Sequence, residues 1–167
     1  VLKDKAVSRS AEQLKPLDER DREVLRLLQE NGRITSAELA RRVNLSTPGL
    51  QKRLKKLEAN GAIAGYVALI DREVLGLDLL CFVQVNLARH QPEYADKFCD
   101  RVQELSEVLE CHHLTGEFDY LLKIVVRDRH HLETLLSQTL APIPGVDRIR
   151  PNIVLNEVKA STSLPLD

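Results

Sequence analysis

Thr35-Ser36-Ala37-Glu38-Leu39-Ala40-Arg41-Arg42-Val43, then Asn44-Leu45-Ser46, then Thr47-Pro48-Gly49-Leu50-Gln51-Lys52-Arg53-Leu54-Lys55-Lys56-Leu57: here one helix start follows another across a three-residue turn. Thr35 and Glu38 have the spacing of a capping box, in which each side chain satisfies the other's free backbone donor. The first helix is expected to run to about Val43, with Leu39, Ala40 and Val43 inward. Thr47 is the expected cap of the second, with Pro48 at the first helical position, where its missing N–H is harmless. Leu50, Leu54 and Leu57 fall at i, i+4 and i+7 and form one buried stripe. Gln51, Lys52, Arg53, Lys55 and Lys56 occupy the other faces. A short helix, a tight turn and a helix with a basic outer face are what reading the DNA major groove requires.

The candidate DNA-contacting residues are therefore Ser36, Ser46, Thr47, Pro48, Gly49, Gln51, Lys52, Arg53, Lys55 and Lys56. Those near the start of the second helix face base edges, which carry specificity. Arg53, Lys55 and Lys56 lie further along, where phosphate contacts supply affinity. A merely solvated basic face is the plain alternative, and the helices that precede it weigh against that.

Toward the N-terminus, Asp18 can cap a helix containing Val24, Leu25, Leu27 and Leu28, with Asp21 on the same spacing. Asn31-Gly32 stops it, Gly being suited to the left-handed conformation of many helix ends. Residues 1–16 are polar, end in Pro16, and are expected to form a flexible arm. A helix-turn-helix domain then occupies 17–63. Ala62 to Ile70 passes from small to β-prone residues, which predicts a wing and hinge strand. With a linker, that segment covers 64–78.

The remainder, 79–167, alternates. Strands are expected over 79–87, 108–115, 118–127 and 147–158, and helices over 92–105 and 131–140. The order β-α-β-β-α-β is the ferredoxin-like arrangement, so the fold class is α+β. Pro151 cannot donate to a ladder, which favours an edge for the last strand. Helices cover one face of such a sheet. The other face is read as apolar and in need of cover, which predicts a dimer through the sheet.

Charge divides along the same line. Residues 1–65 hold 14 Lys and Arg against 9 Asp and Glu, and residues 66–167 hold 10 against 16. A basic half suits a polyanion and an acidic half some other task. No apolar run approaches the roughly 18 residues that span a bilayer, and the start lacks a signal-peptide core. Cys81, Cys99 and Cys111 are odd in number and scattered. They predict reduced thiols in the cytoplasm, at the nucleoid for a DNA-binding protein.

Chemistry-bearing motifs are few. Cys111 and His113 share a strand face, with His112 opposite and His130-His131 nearby, but two ligands on one strand do not make a metal site. No nucleophile elbow, phosphate loop or dinucleotide fingerprint is present. Neither an enzyme, a metal nor a cofactor is expected. Gly116-Glu117-Phe118-Asp119-Tyr120-Leu121-Leu122-Lys123 places a turn glycine before a strand with Asp119 and Lys123 on one face. That pattern suits either a binding site or an ordinary amphipathic strand.

Taken together, Leu17-Asp18-Glu19-Arg20-Asp21, Asn31-Gly32-Arg33-Ile34, Leu57-Glu58 with Gly61 and Ile63, Gly65-Tyr66, Glu110-Cys111-His112, Gly116 with Phe118-Asp119-Tyr120-Leu121-Leu122-Lys123, Pro144-Gly145-Val146 and Glu157-Val158-Lys159 carry a resemblance. In this order they make the chain similar to Lrp/AsnC (feast/famine) regulators from about Leu17 onward. The resemblance implies a winged or plain helix-turn-helix, a hinge strand and an effector domain of the RAM type. It implies dimers formed through the sheets, assembly to octamers on double-stranded DNA, and an amino-acid effector between dimers. Leu114, Thr115, Gly116, Glu117, Asp119 and Tyr120 are the effector-site residues it implies. Asp119 would accept from the ammonium and backbone N–H groups near Gly116 would meet the carboxylate. Glu117 departs from the Asp common there. Two other functions are weighed beside this one: an architectural DNA-bending protein without effector, and the amino-acid-sensing module of an enzyme.

Overall fold

Asp18 and Asp21 lock the first turn of α1 (Glu19–Glu30) in a reciprocal capping box. The Asp21 N–H donates to Asp18 Oδ1 at 2.7 Å and the Asp18 N–H donates to Asp21 Oδ2 at 3.2 Å. The computed structural model describes residues 16–88 and 92–166. Apart from Pro16, the arm expected over 1–16 lies outside them.

α2 spans Ser36–Arg42 and α3 spans Thr47–Ala59. Thr35 caps α2 by accepting from the Glu38 N–H. The reciprocal half of the expected box is absent, because the Glu38 carboxylate is held by Arg41 and Arg42 instead. The cap of α3 is Ser46, whose hydroxyl accepts from the Gly49 N–H at 3.2 Å, and Thr47 is already helical. The expected cap thus lies one residue late: both residues carry a hydroxyl, and only Ser46 has the extended backbone that a cap needs. Helix α1 ends through Asn31 in an extended conformation, and Gly32 is not left-handed. Asn44, in the turn between α2 and α3, takes the left-handed conformation instead, at φ 52°.

Val24, Leu27, Leu39, Ala40, Val43, Leu50, Leu57 and Ile63 form the core of this unit, with Leu54 packed partly against it. From Ala62 to Ile70 the chain forms neither helix nor a strand paired within the chain, and Tyr66, Val67, Leu69 and Ile70 are exposed. The chain divides at Leu69/Ile70, and the segment from Ala160 groups with the first unit rather than the second. Its backbone at Leu164 is hydrogen-bonded to the Gln29 side chain of α1.

The second unit opens with a 3-10 turn (Glu73–Leu75), then β1 (Leu79–Leu87), α4 (Pro92–Gln103), β2 (Val108–His113), β3 (Tyr120–Val126), α5 (Arg129–Thr134) and β4 (Val146–Ile153). Asp128 caps α5 at the His131 N–H. The expected helix over 131–140 is composite, since Leu135–Leu140 continues it as a π-helix. The strands run β2-β3-β1-β4, antiparallel at every pairing. Val83 stands between Leu122 and Pro151 in register, and Pro151 is on the edge strand β4 as its missing donor requires.

Cys81, Val83, Val85, Tyr120, Leu122, Ile124 and Val126 meet Phe98, Val102, Leu132, Leu135 and Leu140 in the core. On β4, Val146 and Ile149 pack against that core, while Ile153 is exposed. The opposite face is less apolar than expected. Leu80 and Val125 are already buried, and the half-buried Phe82 and Leu121 alternate with Gln84, Asn86 and Lys123.

Candidate functional site

The basic face of α3 is split by an acidic pair at the start of α1, the cap residue Asp18 and Asp21. Asp21 is 0% exposed and carries the one buried charge among the described residues. A carboxylate cannot be kept ionised there without partners. Arg53 supplies one, pairing with Asp21 and also donating to both Asp18 carboxylate oxygens at 2.7 Å. The Lys56 ammonium lies 3.6 Å from the second Asp21 oxygen. The bond from Arg53 holds the Asp18 carboxyl below its ordinary range, and Asp18 in turn raises the already high Arg53.

The candidate residues differ in exposure. Ser46, Thr47, Pro48, Gly49, Gln51, Lys52, Lys55 and Lys56 are exposed, while Ser36 and Arg53 are half-buried. Ser36 and Gln51 come together: Gln51 Nε2 donates to Ser36 Oγ at 2.8 Å, tying α2 to α3. Among the described residues, Lys52 and Lys55 make no ion pair. Asp18 and Asp21 were not foreseen as part of this site. The signal for Asp21 was an acid at the i−3 position of Val24, inside an apolar stripe, where a charge needs a partner.

In the second unit, residues 114–119 form the turn from β2 into β3. Gly116 adopts φ +122° with open space around it, a conformation that side-chain-bearing residues rarely take. The Leu114 N–H donates to the Asp119 carbonyl at 2.8 Å and the Asp119 N–H to the Val85 carbonyl at 3.1 Å. Asp119 Oδ2 accepts from the Leu87 N–H at 2.8 Å, so one carboxylate oxygen is committed to β1. Asn86 Nδ2 donates to the Glu117 carbonyl at 2.7 Å, while Asn86 Oδ1 is buried without a partner. Arg150 reaches Glu117 at 3.4 Å and lies 5.4 Å over the Phe118 ring.

The turn leaves Leu114, Thr115, Gly116 and Glu117 exposed and Asp119 half-buried. Tyr120 is separated from them. Its ring is buried in the helix-covered core, 4.7 Å from Phe98 and stacked 5.0 Å from His113. Burial pushes its hydroxyl up to about 12, with the Cys99 thiol 3.9 Å away. Lys123 pairs with Glu110 rather than Asp119. Burial also pushes the Cys111 thiol up to about 11, His112 pairs with Glu110, and no group of three metal-ligating side chains occurs among the described residues.

Comparison with known proteins agrees with both halves. Residues 17–64 match the family model described as winged helix-turn-helix DNA-binding, and residues 80–164 match that of the Lrp/AsnC ligand binding domain. The leucine-responsive regulatory protein of Escherichia coli K12 is 43% identical over 150 residues, covering 90% of this chain and 92% of the relative. That of Klebsiella pneumoniae is 43% identical over the same length. Among solved structures, a Neisseria meningitidis transcriptional regulator in complex with L-methionine aligns with a TM-score of 0.87 at 39% identity, over 91% of this chain and 98% of that one. The Mycobacterium tuberculosis feast or famine regulatory protein complexed with L-methionine aligns with a TM-score of 0.81 at 34% identity, over 89% and 99%. With the helix-turn-helix in one unit and the matching α+β sheet in the other, the chain belongs to the Lrp/AsnC family of transcription regulators.

Proposed function

We propose that this regulator reads double-stranded DNA through α3 and senses an amino acid with an apolar side chain at the 114–119 turn. The observation that carries this is the union, in one chain, of an exposed basic helix braced on two others and a ligand-binding sheet with an open polar turn. Lys52 and Lys55 meet phosphates, and Gln51, steadied by Ser36, reads a base edge together with Thr47. The free Asp119 oxygen accepts from the ligand ammonium, and the exposed backbone at Thr115–Glu117 meets its carboxylate. Tyr120 supports the turn from the core side.

The protein works as a dimer formed through the open sheet face and assembling to octamers, in the cytoplasm on the nucleoid. No helix among the described residues is long and apolar enough to cross a membrane. Relatives solved with L-methionine, and a relative named as leucine-responsive, make methionine and leucine the first ligands to try. The function is regulatory rather than enzymatic, as in the relatives. Effector binding shifts the assembly equilibrium and with it the spacing of the reading helices. Light scattering with and without each amino acid, paired with DNA titration, tests this. One amino acid is expected to change both mass and affinity. If none changes either while DNA still binds, the sensing half is wrong and an architectural, effector-independent role replaces it.

A further inference from the structure

The cations of α3 form two sets that composition does not distinguish. Arg53 lies on the buried side of the helix, three residues after Leu50 and four before Leu57, both fully buried. Lys56 follows it by three residues and reaches the same acid. Lys52 and Lys55 are exposed and, among the described residues, make no ion pair. Asp18, Asp21, Arg53 and Lys56 together form a cluster of two negative and two positive charges. Such a cluster presents no net charge to a polyanion.

Its geometry is directional where the leucine contacts are not. Apolar packing tolerates small rotations of a helix about its axis. Charge-assisted hydrogen bonds do so far less. Asp21 is itself oriented by the capping box at the start of α1, and it engages α3 at two positions one turn apart. Rotation or sliding of α3 breaks one contact or the other.

We propose that Asp21 is the positioning residue of the DNA-reading helix. By holding Arg53 and Lys56 against α1, it fixes the rotation of α3 and leaves Gln51, Lys52 and Lys55 as the side chains presented to DNA. This rests on α3 being the reading helix. Its consequence is specific: Arg53 governs how well the helix discriminates sequences, without itself neutralising a phosphate.

The test uses the full chain and two labelled duplexes: one that the wild-type protein enriches from a random pool, and the unselected pool. Each is titrated across a series of salt concentrations. Lys52→Gln or Lys55→Gln is expected to lower the salt exponent by about one for each helix engaged, on both duplexes alike. Arg53→Met is expected to leave the exponent within about 0.3 of wild type while the preference for the enriched duplex falls by about tenfold or more.

Should Arg53→Met fail to fold, Asp21→Asn with Arg53→Met serves in its place, since neither partner is then left as an uncompensated buried charge. An exponent lowered by Arg53→Met as far as by Lys52→Gln overturns the proposal, as does a folded double variant with wild-type discrimination. Exponents unchanged by both lysine variants would instead remove α3 as the reading helix, an outcome separate from these.

Discussion

The side-chain amide of Gln29 and the backbone of Leu164 exchange two hydrogen bonds. Nε2 donates to the Leu164 carbonyl at 3.1 Å, and Oε1 accepts from the Leu164 N–H at 2.7 Å. A primary amide presents a donor and an acceptor side by side, so it pairs with a peptide group as a neighbouring strand would. Arg26 reaches the Leu166 carbonyl one turn earlier on α1. Gln29→Ala is expected to lower the stability of the first unit by about 1 kcal/mol, since both bonds are solvent-exposed. Hydrogen exchange at the Leu164 amide should quicken, and an unchanged rate would show that the segment is held by other contacts.

Ser46→Ala removes the cap of α3 and is expected to cost about 1 kcal/mol of unfolding free energy. Thr47→Ala, one residue on, should leave stability nearly unchanged because its hydroxyl caps nothing. Thermal melts of the two variants distinguish the positions, and equal losses would refute the assignment of the cap to Ser46.

Gly145 adopts φ +93°, and a Cβ built there would lie 2.6 Å from the Cβ and Cγ of Tyr94. Those atoms sit at the base of the Tyr94 side chain and cannot swing aside. Gly145→Ala should destabilise by about 2–3 kcal/mol through combined strain and clash. Gly116→Ala, at φ +122° in open space, should cost less. Denaturant unfolding of the pair checks the order.

Asp119 has a scaffolding duty beside its proposed ligand duty. Asp119→Ala leaves the Leu87 N–H without its acceptor and is expected to cost about 1–3 kcal/mol. Asp119→Asn keeps an oxygen for Leu87 and should fold normally. Calorimetry with L-methionine should show binding to the Asn variant weakened by about tenfold, from loss of the charge that meets the ammonium. Full retention of affinity would assign the ammonium to another acceptor.

Acid should weaken both units. Asp18 is held low chiefly by Arg53, Glu110 chiefly by His112 and then Lys123, and Glu107 chiefly by a backbone hydrogen bond. A carboxyl with a depressed folded value contributes stability that is present above its unfolded value and lost as pH falls through the folded one. Unfolding free energy should therefore be level above about pH 5 and decline below pH 4.5, the ordinary value for Glu107 and Glu110. Asp18→Asn should flatten part of that decline. Denaturant titrations between pH 3 and pH 7 would reveal a contrary slope.

The strand and helix order was legible because each element carries its own period, 2 for β1 and β3 and 3.6 for α3 and α4. What stayed hidden depended on choices between chemically similar residues or on distant partners. Ser46 and Thr47 both offer a hydroxyl, and backbone conformation decides between them. Asn31 closes α1 in an extended conformation, so Gly32 never needs the left-handed region that Asn44 occupies. Leu135–Leu140 keeps a helical apolar spacing, which does not announce a π-turn. Asp21 was visible on the apolar stripe, but its partners Arg53 and Lys56 lie a full helix-turn-helix away. The pairing of Gln29 with Leu164 crosses most of the chain, and no local pattern encodes it.

That last pairing orders events on the ribosome. The helices of the helix-turn-helix unit are translated first, yet the segment hydrogen-bonded to α1 emerges only after the whole of Ile70–Lys159. A nascent chain therefore carries its DNA-binding unit without that segment until the ligand-binding unit has been synthesised, and the first unit of the sequence is the last to acquire all its contacts.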